Sequence, residues 1–533
     1  MTDELGRTSS TGYDALDRPF TWTNARGDVS SRTYDAAGRV ATETDELGRV
    51  TTYGYDLLDR LVSVTRADPD GAGGPLTSPV TTYGYDLVGN RTSETDARGN
   101  TELTSYDELN RPFAIEDAYG FTTTVVYDAV GNVLSRTDKR GRTTAYTYDE
   151  LDRGGTMTQP EVDTPAGRVA PVTRYEYDEA GNLLSVTDAL GRVTRFAYDR
   201  LDRQTLRTDA LGHTNATVYD KVGNVVETID ELGRSVLYAY DQLNRLVQVT
   251  LPEPTPGAAG PVLRYGYDPV GNRISETDAL GRVTSFGFDS LNRPETTTDA
   301  HGNTATTTYD AVGNVLTRTD RLGRRTAYEY DRLDRVVKRT DADPDGSGPQ
   351  SSPATSWAYD ANGNVARYTD ARGNVTQYAY DKLDRRIEII DAAGHASTFS
   401  YDPESSVLTT TDPLGRVTTN RYDELGRLVE VKLPDPDGSG QQAAPVHSFR
   451  YDAVGNLVSR TDALGRVTTI AYDDLNRSVS STNALSHVAR STYDAAGRVE
   501  TTTDEAGRVT LYAYDGIDRL VSVAQPDPDG AGP

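Results

Sequence analysis

The sequence predicts an all-β fold, a long antiparallel meander of short hairpins coiled into a hollow spiral β-shell. Three observations predict it. A 21-residue motif opening on Tyr-Asp returns from one end of the chain to the other. Inside each copy, short stretches alternate in polarity with the two-residue period of a strand. Between those stretches stand Asp- and Gly-containing turns, with no helical periodicity.

The motif opens at Tyr13, Tyr34, Tyr55, Tyr85 and onward to Tyr514, with Phe288 once in place of tyrosine. That makes 23 copies, spaced by 21 residues except for five steps of 27 to 30. Residues 1–533 are therefore expected to form a single repeat array, although 533 residues would otherwise suggest several domains.

One copy shows the local physics. Val50-Thr51-Thr52-Tyr53-Gly54-Tyr55 alternates, placing Tyr53 and Tyr55 on one face and Val50, Thr52 and Gly54 on the other. Asp56-Leu57-Leu58-Asp59-Arg60 is a turn, and Leu61-Val62-Ser63-Val64-Thr65 a second strand. A second kind of turn is seen at Thr44-Asp45-Glu46-Leu47-Gly48-Arg49. Each copy thus supplies two strands and two turns. The opening Asp can accept backbone N–H groups with its carboxylate. A glycine three residues later suits a positive φ, as in Asp128-Ala129-Val130-Gly131-Asn132.

A longer period overlies the first. Copies of a Gly-Asn/Gly-Arg form alternate with a Leu-Asp-Arg/Leu-Asn-Arg form. The turn that follows is lengthened after the copies opening at Tyr55-Asp56, Tyr148-Asp149, Tyr240-Asp241, Tyr330-Asp331, Tyr422-Asp423 and Tyr514-Asp515. These tyrosines lie 90 to 93 residues apart, so four copies form a block of about 92. The long loops run over 68–73, 160–171, 251–261, 341–353, 434–445 and 526–533, and proline and glycine keep them out of the sheet. All replace the same turn, so they are expected in a row along one rim. One block per spiral turn would give eight strands and a narrow tube filled by side chains. A hydrophobic content of 36% and a mean hydropathy of −0.60 argue against filling it. Two or more blocks per turn give a hollow spiral. The alternative, a tandem β-propeller-like array, would need about eleven blades, above the usual limit of about eight.

The formal net charge of −26 argues against nucleic acid as a partner, because phosphate contacts need a basic surface. Cysteine is absent, which excludes disulfides and thiolate zinc sites. No run of about 18 apolar residues suggests a membrane span. Thr2 to Arg7 read as the middle of a copy and Pro526 to Pro533 stop in a loop, so both ends look cut from a longer array.

The pattern Tyr-Asp-x-x-Gly-Asn/Arg … Thr-Asp-x-x-Gly-Arg-x-Thr … Tyr-x-Tyr-Asp, clear from Tyr85 to Tyr127 and from Tyr451 to Tyr493, resembles the YD repeats of Rhs proteins. Such repeats also occur in Tc toxin B/C shells, wall-associated proteins and teneurins. The resemblance spans essentially the whole chain. It implies a hollow β-shell that, in polymorphic toxin members, encloses a C-terminal toxin domain until delivery. It also implies a secreted or cell-surface parent. The family's shell-closing, self-cleaving segment has no match here, so that activity is carried over to no residue. Two copies depart from the pattern: Tyr401-Asp402-Pro403-Glu404-Ser405-Ser406 lacks the turn glycine, and Asn483-Ala484-Leu485-Ser486-His487 has lost both Asp and Gly.

Chemistry is sparse. His213, His301, His395, His447 and His487 show no metal-ligand spacing and read as turn and loop residues. Carboxylate pairs recur in every copy, whereas a catalytic pair is needed once, in one special environment. The chain is therefore read as non-enzymatic and without a cofactor. The one metal candidate is a calcium loop at Asp341, Asp343 and Asp345, with Gly346 following. Its twelfth position is Ser352 rather than Glu, so weak binding at most is expected, and the plainer reading is a polar turn. The Asp-Pro-Asp-Gly copies at Asp68, Asp435 and Asp527 are poorer matches. Tyrosine pairs such as Tyr53/Tyr55 and Tyr146/Tyr148 are expected to stack into ladders. Exposed tyrosine rows on the outer surface would favour a second reading, an adhesion or carbohydrate-binding module contacting surface glycans. The first reading is a shell segment whose partner is a toxin or cargo domain of a longer parent chain.

Overall fold

The computed structural model describes residues 1–533 apart from 72, 347, 349, 439, 441 and 527–533. It is all-β. Forty-six strands form one antiparallel meander that is not closed as a barrel, and a two-stranded hairpin stands apart from it. No helix among the described residues is long and apolar enough to cross a membrane. A continuous sheet of this kind is not divided into four-stranded blades, which removes the propeller alternative.

The copy at Tyr55 folds as its pattern dictates. Strands Val50–Tyr55 and Leu61–Thr65 pair antiparallel, with Tyr53 opposite Val64 and Tyr55 opposite Leu61. A bulge between Gly54 and Tyr55 leaves Val62 without an opposite residue and adds twist beside the turn. The same bulge recurs before Tyr148, Tyr240 and Tyr330. Thr51, Tyr53 and Tyr55 are less exposed than Val50 and Thr52, so the predicted alternation holds.

Little is buried. Among the described residues the buried apolar side chains are Val162, Val249 and Ala453. The sheet is thus held by its ladder and its turns rather than by a hydrophobic core.

The loop at 160–171 differs from a plain excursion. Val162–Thr164 and Gly167–Val169 pair as a hairpin of their own. Val162, 1% exposed, anchors it, and Thr-Pro-Ala-Gly closes its turn. Asp527 and the residues after it in the last predicted loop, 527–533, lie outside the described residues.

Contacts divide the chain into two compact units, Met1–Thr123 with Tyr265–Phe399 and Thr124–Arg264 with Ser400–Pro533. Each unit therefore combines an earlier and a later stretch of the meander.

Candidate functional site

The turns carry nearly all the specific polar chemistry. In the Tyr-Asp turn, Asp56 Oδ1 accepts the N–H groups of Leu58 (2.9 Å) and Arg60 (3.0 Å), while Oδ2 accepts Arg60 Nε at 2.7 Å. Asp149, Asp241 and Asp331 repeat this arrangement. The Arg60 backbone N–H, followed by its side chain, holds the Asp56 carboxyl below the ordinary aspartate value against desolvation. In the glycine form, Asp128 accepts Asn132 Nδ2 at 3.0 Å, and Gly131 has φ 109°. The Leu-Asp-Arg form puts a non-glycine residue in the left-handed region, with φ 65° at Asp59, 60° at Asn110 and 59° at Asp152. Asp and Asn tolerate that region best among the non-glycine residues. Ser405 (φ 67°) and Ser486 (φ 63°) adopt it too, so the two degenerate copies keep the turn although their sequences have drifted.

Each turn is clasped to the next along the same edge. Arg39 Nη1 donates to Asp56 O (3.1 Å) and Asp59 Oδ1 (2.7 Å), and its guanidinium lies 4.7 Å from the centre of the Tyr55 ring. The Tyr55 hydroxyl donates to Val40 O at 3.0 Å. In the asparagine form, Asn132 Nδ2 reaches Asp152 Oδ1 at 2.7 Å, and Tyr148 donates to Val133 O at 3.0 Å. Tyr240 and Tyr330 do the same to Val225 and Val315, both at 2.9 Å. Each such hydrogen bond contributes about 0.5–1.5 kcal/mol. Burial raises the pKa of Tyr240 and Tyr330.

Where a ladder of stacked tyrosines was predicted, the tyrosine of an arginine-form clasp therefore packs against arginine, as Tyr55 does against Arg39, and that of an asparagine-form clasp stands beside the asparagine pair. The rings are half-buried and their hydroxyls are committed to backbone. Ring–ring contacts do occur, at Tyr119–Phe121 and Trp357–Tyr368, but neither involves a Tyr-Asp tyrosine. Rows of exposed tyrosine, the motive for glycan contact, are not what the turns present.

The clasp also explains why long loops are tolerated. Arg60 bridges directly to Asp86 O at 2.7 Å and lies over the Tyr85 ring, past the whole 68–74 loop. Arg153 and Arg427 bridge the loops that follow them to Asp178 O (2.5 Å) and Asp452 O (2.8 Å). Register is kept on the Tyr-Asp edge, while the loops extend from the other. Within the loops, the second aspartate of Asp-Pro-Asp-Gly folds back: Asp70 accepts Leu76 N, Asp345 accepts Gln350 N and Asp437 accepts Gln442 N, at 3.2, 3.2 and 3.0 Å. A Cβ added at Gly74, Gly348 or Gly440 would run into that carboxylate.

Of the calcium candidates, Asp341 Oδ2 is paired with Arg339 Nη2 at 2.6 Å, and Asp343 Oδ1 accepts the Asp345 N–H at 3.2 Å. Among the described residues no group of three or more His, Cys, Asp or Glu is placed to hold a metal ion. His213 and His395 take the arginine position of a turn, each with Nδ1 3.1 Å from the turn aspartate.

A second clasp was invisible in the sequence. Within each unit, Thr-Asp turns of the earlier stretch meet Tyr-Asp turns of the later one. In the first unit, Arg7 donates to Asn292 Oδ1 (2.8 Å) and Arg98 to Asp384 Oδ1 (2.7 Å). Arg49 grips both oxygens of Asp334, at 2.7 and 2.9 Å. In the second, Arg192 donates to Asn476 Oδ1 (2.8 Å) and Arg234 to Asp518 Oδ1 (2.7 Å). These five pairs lie 284 to 286 residues apart, about three blocks. The first three loops join the same seam: Arg332 N donates to Pro69 O (2.9 Å), Gly516 N to Pro254 O (2.8 Å), and the 162–164 strand packs on Val446–Tyr451. No single signal in the sequence marks these arginines, because every turn carries a similar one.

A family model described as RHS Repeat matches eleven segments, among them 34–72, 127–161, 267–304 and 493–530, and together they cover more than half of the chain. No curated protein matches. Among solved structures, the chain is similar to a TcdB2-TccC3-Cdc42 crystal structure, with TM-score 0.67 and 13% identity over 96% of this chain and 39% of that one. It is also similar to TcdB2-TccC3 (TM-score 0.58, 14% identity, 98% and 37%). A third is a Photorhabdus luminescens Tc holotoxin pore (TM-score 0.59, 15% identity, 98% and 30%). The chain thus spans less than two fifths of the length of these neighbours.

Proposed function

This chain belongs to the RHS repeat family, and from that premise we infer that it is a wall segment of a shell enclosing a toxin or other cargo domain carried by a longer, secreted or surface-exposed parent polypeptide. The role is mechanical and requires no catalytic step of the wall. The observation that carries the reading is a 46-stranded sheet with almost no core of its own, whose register is held by turn-to-turn clasps. Such a sheet separates two spaces without filling either. The fold shared with the TcdB2-TccC3 structures supports the same reading. Cargo in the parent would be kept from solvent and protease until the wall opens.

Protease protection of the native polypeptide tests this. An antibody to the repeat recovers it from the source cells, and digestion is followed before and after the wall is opened with denaturant. A further, non-repeat segment that resists digestion only while the wall is folded is the expected result. A native polypeptide made of repeat alone, or a further segment cleaved at the same rate in both conditions, would overturn the reading.

A further inference from the structure

The seam of the first unit contains the one Asn-Gly pair of the sequence, Asn362-Gly363. It lies in the turn Asp360-Ala361-Asn362-Gly363-Asn364, at a position that is Val88, Val130, Val222, Val312 or Val454 in other copies. Asn362 is half-buried, and its amide is held at both ends by the earlier stretch. Nδ2 donates to Asp96 Oδ2 (2.7 Å) and to Asp384 Oδ2 (3.0 Å), while Oδ1 accepts the Arg98 N–H at 3.1 Å. The backbone is held as well: Asn362 N donates to Asp360 Oδ1 (3.0 Å) and Gly363 N to Asp360 O (3.1 Å). Arg98 Nη1 stands 2.7 Å from Asp384 Oδ1 and 3.7 Å from Asp360 Oδ2.

Glycine after asparagine leaves the next backbone nitrogen free to attack the side-chain amide, because it has no Cβ to obstruct the approach. In that reaction Gly363 N bonds to Asn362 Cγ and gives up its proton. The Cγ–Nδ2 bond breaks, and Nδ2 leaves as ammonia with that proton. Water then opens the resulting succinimide. Opening at Cγ leaves aspartate, and opening at the main-chain carbonyl leaves isoaspartate. The new acid passes its proton to the ammonia, so one water enters and one ammonium leaves. The closed seam blocks the first step twice. The attacking N–H is bound to Asp360 O. The amide cannot turn towards it without releasing Asp96, Arg98 and Asp384.

We propose that Asn362-Gly363 is a deamidation site that makes opening of the seam a one-way event. The closed seam protects the asparagine, opening exposes it, and the product resists reclosure. The amide is the donor that lets Asp96 and Asp384 come together across the seam. A carboxylate only accepts, so in its place it would bring a like charge within hydrogen-bond distance of both. The other seam contacts of this unit, Arg7 with Asn292 and Arg49 with Asp334, hold no Asn-Gly pair, so the effect is local to the turn at 96–100. The inference needs only the seam and is independent of any cargo.

Mass spectrometry of peptides from the full chain, aged in mildly alkaline buffer, tests the protection. Folded wild type, folded Arg98→Ala and wild type in denaturant are compared. Fragmentation locates the deamidated residue, and isoaspartate in the product marks the succinimide route. Asn362 in the folded wild type should react at least about tenfold more slowly than in the denatured chain, with Arg98→Ala in between. Hydrogen exchange tests the consequence. Asn362→Asp should speed exchange of the turn at 96–100, across the seam, at least about tenfold. Asn374→Asp is the control, because Asn374 Nδ2 donates to Asp370 Oδ2 of its own turn at 2.8 Å; it should leave 96–100 unchanged. Both substituted asparagines lie in turns, so circular dichroism should stay that of the wild type. Equal deamidation in folded and denatured wild type, no acceleration in Arg98→Ala, or wild-type exchange at 96–100 in Asn362→Asp would overturn the proposal.

Discussion

Replacing Arg49 by alanine separates the seam from the turn chemistry common to every copy. Arg49 is 8% exposed and ties Asp45 in its own turn to both oxygens of Asp334 in the later stretch. Two charge-assisted hydrogen bonds are worth about 1.5–3 kcal/mol each when buried. Asp334 is 46% exposed, which screens them, so the pair together should contribute about 2 kcal/mol. Desolvation pushes Asp334 up, but the hydrogen bonds from Arg49 and Asn314 outweigh it and hold its pKa below the ordinary value. Arg324 is the control: the same turn position, 67% exposed and, among the described residues, bound only to Asp320, with an expected loss of about 0.5 kcal/mol or less. A repeat array need not unfold in one step, so a local probe is required. Native-state hydrogen exchange of a peptide covering 331–335 should rise about 30-fold in Arg49→Ala, the equivalent of 2 kcal/mol. Arg324→Ala should leave the same peptide unchanged. Equal effects of the two variants on 331–335 would refute a seam built on these arginines.

Other outcomes follow from the same geometry. Tyr53 donates to Glu43 Oε2 at 2.6 Å, and burial together with that carboxylate pushes its phenol up to about 12. A Glu43→Gln variant should therefore ionise one additional tyrosine between about pH 10 and 12 in the ultraviolet difference spectrum. Turn aspartates such as Asp56, Asp149 and Asp241 have depressed folded pKa values, so their contribution is present above the unfolded value near 4 and is lost as pH falls below it. Tyr240, Tyr330 and Tyr359 have raised values, so theirs is complete below about pH 10 and is lost as pH rises further. Thermal melts should accordingly be flat between about pH 5 and 9 and fall on both sides. At the left-handed positions, Asp152→Gly should be near neutral, while Asp152→Val should cost about 1–2 kcal/mol, measured by exchange of the 149–153 turn. Gly440→Ala should displace the Asp437 carboxylate and release the 434–445 loop to faster proteolysis, with the sheet unchanged by circular dichroism.

How much was legible follows from what repeats. Val50–Tyr55, Leu61–Thr65 and the turn between them could be read residue by residue, because alternation and Asp/Gly turn chemistry act locally. The left-handed Asp59 was less visible, since nothing in Leu-Asp-Arg announces that its Asp replaces a glycine. The tyrosines were placed on the correct face but given the wrong neighbour. Arg39 carries the ring contact to Tyr55, and an arginine 16 residues upstream is not part of any strand pattern. The pairing of Arg49 with Asp334 could not be read at all. It depends on how a long sheet returns upon itself, and many identical turns offer equivalent partners.

Electron cryomicroscopy of the native particle, recovered by an antibody to the repeat, tests the central claim most directly. A wall that encloses cargo predicts density for a further segment of the same polypeptide, surrounded by the sheet and accounting for mass beyond the 57.9 kDa of this chain. A particle whose sheet surrounds only solvent, with any further segment outside it, would contradict the account.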